Sequence, residues 1–152
     1  MLSRLASAAA AGAALLLAAC SSGGGPAAND ELTRVTEAGG VTVTATWLTG
    51  EGVRTIETDL TRYPLSEFAL VELTLDTHSD DLSQIDMERA AALRQGGAAV
   101  RPLAWVTVSD DTHHRSGVLV FPRGLENAPT ELTLKIENEE IVLLWEEAVL
   151  TG

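Results

Sequence analysis

The segment Val41-Thr-Val-Thr-Ala-Thr-Trp-Leu48 constrains the fold more than any other stretch of the chain. Val41, Val43, Ala45 and Trp47 fall on one side of an extended backbone, and Thr42, Thr44 and Thr46 on the other. A period of two carried by β-branched residues belongs to a strand with one face in a core and one in water. Phe68–Thr77 repeats the pattern, with Ala69, Val71, Leu73 and Leu75 sharing a side. Further strands read at Val53–Thr58 (after a Thr49–Gly52 turn), Ala90–Arg94, Val100–Val108, Gly117–Phe121, Thr130–Glu137 and Ile141–Glu146, with Asn138-Glu139 as the tight turn of the last pair. Asp86–Leu93 carries two signals. Met87, Ala90, Ala91 and Leu93 suit a helical turn, whereas Gln95-Gly-Gly97 and the apolar run after it favour a hairpin whose first arm is Ala90–Arg94. About seven or eight short strands separated by turn signals make the expected fold all-β, an antiparallel β-sandwich. Trp47, Trp105 and Trp145 lie in strand-like segments and are expected in its core or at its rim.

The chain begins differently. Arg4 precedes the apolar run Leu5–Ala19, which leads into the single cysteine, Cys20. A positive start, a short apolar stretch and small residues before a cleavage point make a secretory signal peptide, and the run falls short of the ~20 residues that span a bilayer. Leu17-Ala18-Ala19-Cys20 resembles the lipobox of bacterial lipoproteins. The resemblance implies removal of residues 1–19, acylation of Cys20, and anchoring of the mature chain on the extracytoplasmic side of an envelope membrane. Two or more acyl chains hold a protein stably at a membrane, where one does not. Ser21–Asp30, rich in Gly and Ser, completes a flexible tether over residues 20–31, and residues 32–152 form the domain. With Cys20 acylated, that domain has no thiol and no disulfide. Ser116-Gly-Val-Leu-Val-Phe-Pro122 followed by Glu131-Leu-Thr-Leu-Lys-Ile136 resembles the late strands of immunoglobulin-like domains in bacterial envelope lipoproteins, which implies an immunoglobulin-like arrangement of the sandwich.

A net charge of −12 excludes nucleic acid and anionic lipid headgroups as partners, and loss of Arg4 with the leader deepens it. Membrane contact is therefore expected through the lipid on Cys20 alone. The sequence holds no His-Glu-x-x-His zinc motif, no Gly-x-Ser-x-Gly elbow and no Asp-x-Asp-x-Asp-Gly calcium loop. The chain is expected to be a monomer and not an enzyme.

Three histidines carry what chemistry remains: His78 in Asp76–Asp81, and His113 and His114 in Ser109–Arg115. Counting strand directions through a meander that includes Val53–Thr58 puts both loops at the end reached after Trp47. Glu51, Asp80, Asp81, Asp110, Asp111 and Glu139 fall at that same end. Imidazoles beside carboxylates suit a divalent transition metal, Zn or Cu(II), with His78, His113 and His114 as ligands and Asp80, Asp110 and Asp111 as candidate carboxylates. A second reading is structural, with Arg115 pairing Asp80 or Asp81 and His78 or His114 bonding the opposite loop, so that the two loops are stapled. In a third the histidines are simply solvated, and in a fourth, clustered beside acids, they titrate near neutral pH and switch loop contacts. The functional expectation is accordingly a lipid-anchored, extracytoplasmic protein that either binds a metal through its loops or binds another envelope protein.

Overall fold

The computed structural model describes residues 31–124 and 128–146; the leader, Cys20 and most of the tether lie outside the described residues. Eight strands form two antiparallel sheets. Sheet A has the order β1(Thr33–Ala38)-β2(Val41–Trp47)-β3(Phe68–Thr77)-β6(His114–Pro122)-β5(Ala104–Asp110), and sheet B the order β4(Ala91–Gln95)-β7(Thr130–Ile136)-β8(Glu139–Trp145). Taking β2 to β8 as strands A to G, the pairings are A-B-E-D and C-F-G, those of a constant-type immunoglobulin domain, with β1 added beside the first strand.

The inward side chains are those the alternation selects. Val41, Val43 and Ala45 of β2 and Ala69, Val71, Leu73 and Leu75 of β3 are buried against Leu132, Leu134, Ile141 and Leu143 of sheet B. Trp145 is fully buried, 6.1 Å from Trp47 between ring centroids, and its indole N–H donates to Leu32 O at 2.7 Å. Trp47 and Trp105 pack against the same core. Gly117 leaves room for Trp105, since a Cβ there would stand 2.5 Å from the indole and 2.6 Å from Val106 O.

Three sequence expectations are corrected. The expected return strand Val53–Thr58 is instead a short helix, α1(Gly50–Thr55), and a loop. Val53 and Ile56, three apart, lie with Tyr63, Leu65 and Phe68 over Leu70, Val118 and Val120, which point out of sheet A. A strand would have left those three in water. The strand supplied in its place is β1, turned into β2 by Gly39-Gly40, both with positive φ as a two-residue hairpin of type I′ requires. Second, Ala90–Arg94 and Val100–Val108 do not form a hairpin. Asp86 caps a single helical turn, α2(Met87–Ala90), and β4 then pairs with β7 while β5 crosses to sheet A. Leu93 and Val100 exchange one pair of backbone bonds before Pro102, which has no N–H to continue a ladder. Third, the β7–β8 turn is Glu137-Asn138, one residue earlier than expected, with Glu137 at φ 53°.

Candidate functional site

Losing the return strand reverses the direction of β3, because β3 pairs antiparallel to β2 directly, with Val41 opposite Thr77. His78 therefore lies at the end opposite the one reached after Trp47. The same reversal carries the β5–β6 turn there, since Asp76 pairs with His114. The histidine loops thus share an end, but Glu51, in α1, lies at the other. Gly39-Gly40 and the Glu137-Asn138 turn complete the histidine end, where a recess of about 30 Å³ is lined by Gly39, Asp81, Leu82, Glu137 and Glu139 among others. That volume holds about one water.

The chain segments here are bonded to one another. Thr77 N–H donates to His113 O at 3.0 Å and Leu82 N–H to Thr112 O at 2.8 Å, so the 78–86 connection is tied to the β5–β6 turn by its backbone. His113 Nδ1 lies 3.2 Å from Asp80 O, and because a carbonyl only accepts, this nitrogen carries the proton. His114 Nδ1 stands 2.7 Å from Asp76 Oδ1 across the β3–β6 pair, on the outer face of sheet A. Asp81 accepts from the Ser83 hydroxyl at 2.6 Å and the Ser83 N–H at 3.0 Å, which holds its carboxyl below the usual value. The His113 N–H does the same for Asp111 at 3.0 Å. Asp80 accepts from the Ser79 hydroxyl at 2.9 Å, and His78 is exposed.

Arg115 is the central group. It points inward from β6 with 9% of its side chain exposed, donating to Leu82 O at 3.0 Å and to Ile85 O. Its guanidinium carbon lies 5.8 Å from the Trp105 ring centroid. Nε comes within 2.8 Å of Asp110 Oδ1, yet without hydrogen-bond geometry, so we regard this contact as coulombic. The expected partners Asp80 and Asp81 are not the ones it uses: Asp81 is taken by Ser83, and Arg115 seizes the carbonyls of the turn that follows. The six proposed metal ligands are likewise dispersed. Asp110 faces Arg115, Asp111 folds onto its own loop, and His114 faces outward with Asp76. Among the described residues no three His, Cys, Asp or Glu side chains gather closely enough to hold a metal ion.

Sequence reasoning missed a different surface. The outer face of sheet A is covered over β3 and β6 by the 48–67 connection, whereas among the described residues none covers the outer face of sheet B. Its register forms three rows across β4, β7 and β8: Arg94–Glu131–Leu144, Ala92–Thr133–Val142, and Lys135–Glu140. Val142 is 46% exposed and Leu144 55%. Lys135, the chain's one lysine, lies 3.4 Å from Glu140. The unbroken apolar run Ile141–Trp145 reads as a strand buried on both faces, and that hid the exposure of its alternate residues.

No helix among the described residues is long and apolar enough to cross a membrane. No protein-family model matches the chain, and neither a curated protein nor a solved structure matches it.

Proposed function

We propose that this chain is a lipid-anchored, extracytoplasmic, non-enzymatic interaction module. Cys20 carries the acyl chains, residues 20–31 form the tether, and the sandwich docks another protein through the outer face of sheet B. The open pair Val142 and Leu144 carries this reading, because it sets two exposed aliphatic side chains on the edge strand β8, beside the charges of β7, on a face that no described residue covers. The polar groups at the histidine end support it from the other side. His113, His114, Asp81, Asp111 and Arg115 are engaged with neighbouring chain segments, and among the described residues no three metal-ligating side chains gather there.

The test places a photo-crosslinking amino acid at Leu144, and separately at Arg62 in the connection over the opposite sheet, in the full chain expressed with its own leader. A discrete adduct from Leu144, absent from Arg62 and unchanged by His78→Ala, His113→Ala and His114→Ala together, is the expected result. Equal labelling at both positions overturns the docking assignment. Absence of fatty-acid label on the full chain after growth with labelled palmitate, or label that persists after Cys20→Ser, overturns the anchor.

A further inference from the structure

Building on that reading, we infer that the occupant of the sheet B face is a second copy of this chain, docked about a two-fold axis that runs along the row Ala92–Thr133–Val142. The register supplies the argument. An isologous contact between two facing sheets places its axis in the plane between them, either along the strands or across them. An axis along the strands sets Glu131 against the partner's Glu131 and Lys135 against the partner's Lys135, two like-charge contacts. An axis across the strands inverts the order of the rows. Glu131 then meets the partner's Lys135, Lys135 meets the partner's Glu131, and Val142 meets the partner's Val142 at the axis. At β7 one choice is repulsive and the other is self-complementary, while at β8 the second sets Leu144 against the partner's Glu140; both follow from the pairing of β7 with β8.

Charge also selects a second copy over a strongly basic partner. The chain carries 22 acidic and 10 basic residues, yet this face sets Arg94 and Lys135 against Glu131 and Glu140. Two copies of a protein this acidic repel each other over most of their surface, and a locally balanced face is where that repulsion is smallest. The direction of the axis fits two anchors in one membrane. Rotation about an axis running from β4 to β8 keeps the β8 side of both copies pointing the same way. β1 lies on that side, with Leu32 O bonded to the Trp145 indole and Arg34 Nε to Leu144 O at 2.6 Å, and the tether leads into β1. A face about 14 Å by 23 Å buries less than the roughly 1,200 Å² typical of stable soluble complexes, so the pair forms when a shared membrane raises the effective concentration.

The experiment uses the full chain in its native membrane. Val142→Cys places one thiol at the axis, Arg62→Cys places one away from it, and the unaltered chain, whose only thiol site is Cys20, is the blank. Under mild oxidant, Val142→Cys is expected to give a disulfide-linked dimer at about tenfold the yield of Arg62→Cys. Lys135→Glu in that background sets like charges against Glu131 twice over and should lower the yield about tenfold, and adding Glu131→Lys should restore it. Both changes are at surface positions, and circular dichroism checks that the sandwich persists. Equal yields from the two cysteines, or failure of the charge exchange to rescue, overturns the inference. If the Leu144 crosslinker then captures a protein of different mass, the docking reading stands with another occupant; if it captures nothing, that reading falls as well.

Discussion

Replacing Arg115 by methionine keeps an unbranched side chain of similar reach and removes the guanidinium that ties β6 to the 82–85 turn. Leu82 O keeps the Ile85 N–H at 3.2 Å, so the main loss falls on the Ile85 carbonyl. A charge-assisted bond is worth about 1.5–3 kcal/mol, and the half-buried Ile85 carbonyl, deprived of its donor, costs toward the lower end of the roughly 1–3 kcal/mol of a buried one. The Asp110 contact adds at most about 1 kcal/mol, because half of that carboxylate side chain is exposed, and the stacking on Trp105 about 0.5–1 kcal/mol. Against these stands the relief of desolvating a buried cation, which removes several kcal/mol from the balance. The net expectation is a loss of about 2–4 kcal/mol, or roughly 10 °C in Tm for a domain of this size. Urea unfolding followed by tryptophan fluorescence measures it, with an unchanged m-value showing that the same surface unfolds. Arg115→Lys, which keeps the charge but not the fork, should lie between the two. A loss under 1 kcal/mol for the methionine variant, or a gain, would show that the turn holds itself.

Glu137 occupies a left-handed conformation in the β7–β8 turn, so Glu137→Gly should raise stability by about 1 kcal/mol, read as a higher urea midpoint; a drop would mean the side chain contributes more than its backbone costs. Burial holds the Glu72 carboxyl above its ordinary value of 4.5. The folded protein therefore binds that proton more tightly than the unfolded chain, and stability declines as pH rises through this range. Glu72→Gln should remove the decline and give a small gain once pH has risen past this range, under about 1 kcal/mol because the group is half exposed. Asp81 has the opposite sign: its lowered pKa supplies stability above the ordinary 3.8 that is lost as pH falls, and Ser83→Ala should flatten that acid limb of the melting curve. Because the histidines and carboxylates do not converge, a chelator should leave the Tm of the full chain unchanged, and Zn²⁺ or Cu²⁺ should bind weakly and independently of His78, His113 and His114; a histidine-dependent rise in Tm on metal loading would restore the metal site.

The sandwich was legible because its inward residues alternate. Val41 to Ala45 and Ala69 to Leu75 each announce one buried face, and the structure buries those residues. The first strand was not, because Thr33-Arg-Val-Thr-Glu-Ala38 carries a lone valine, 65% exposed, on an edge that needs little apolar pattern; Gly39-Gly40 was the signal that should have revealed it. Val53–Thr58 misled for the reverse reason. Its apolar residues serve a second cluster outside sheet A, and spacing alone does not say which side of a sheet a segment will cover. At the histidine end the loops and their proximity followed from strand order, even though two of the strand assignments were wrong. Arg115's partners did not follow, because main-chain carbonyls have no signature in a sequence. The open face of sheet B escaped because burial is a property of neighbours, and nothing in Ile141–Trp145 records that the described residues pack on only one side of β8.

The 48–67 connection gives sheet A a layered stability. Its cluster rests on Leu48, Leu60, Leu70, Val118 and Val120, separate from the main core, and the segment is joined to the sandwich by a few backbone bonds at its ends. Such a segment opens as a unit of its own at a free energy below that of global unfolding, and Arg54 and Arg62 sit exposed within it. Trypsin acting on the native protein would therefore reach it first. What opening uncovers is the outward face of β3 and β6, a flat aliphatic strip between paired strands and the kind of surface that recruits other chains. The connection is a built-in shield, and the rate at which it lifts sets how long the domain can stand among other proteins before it begins to stick.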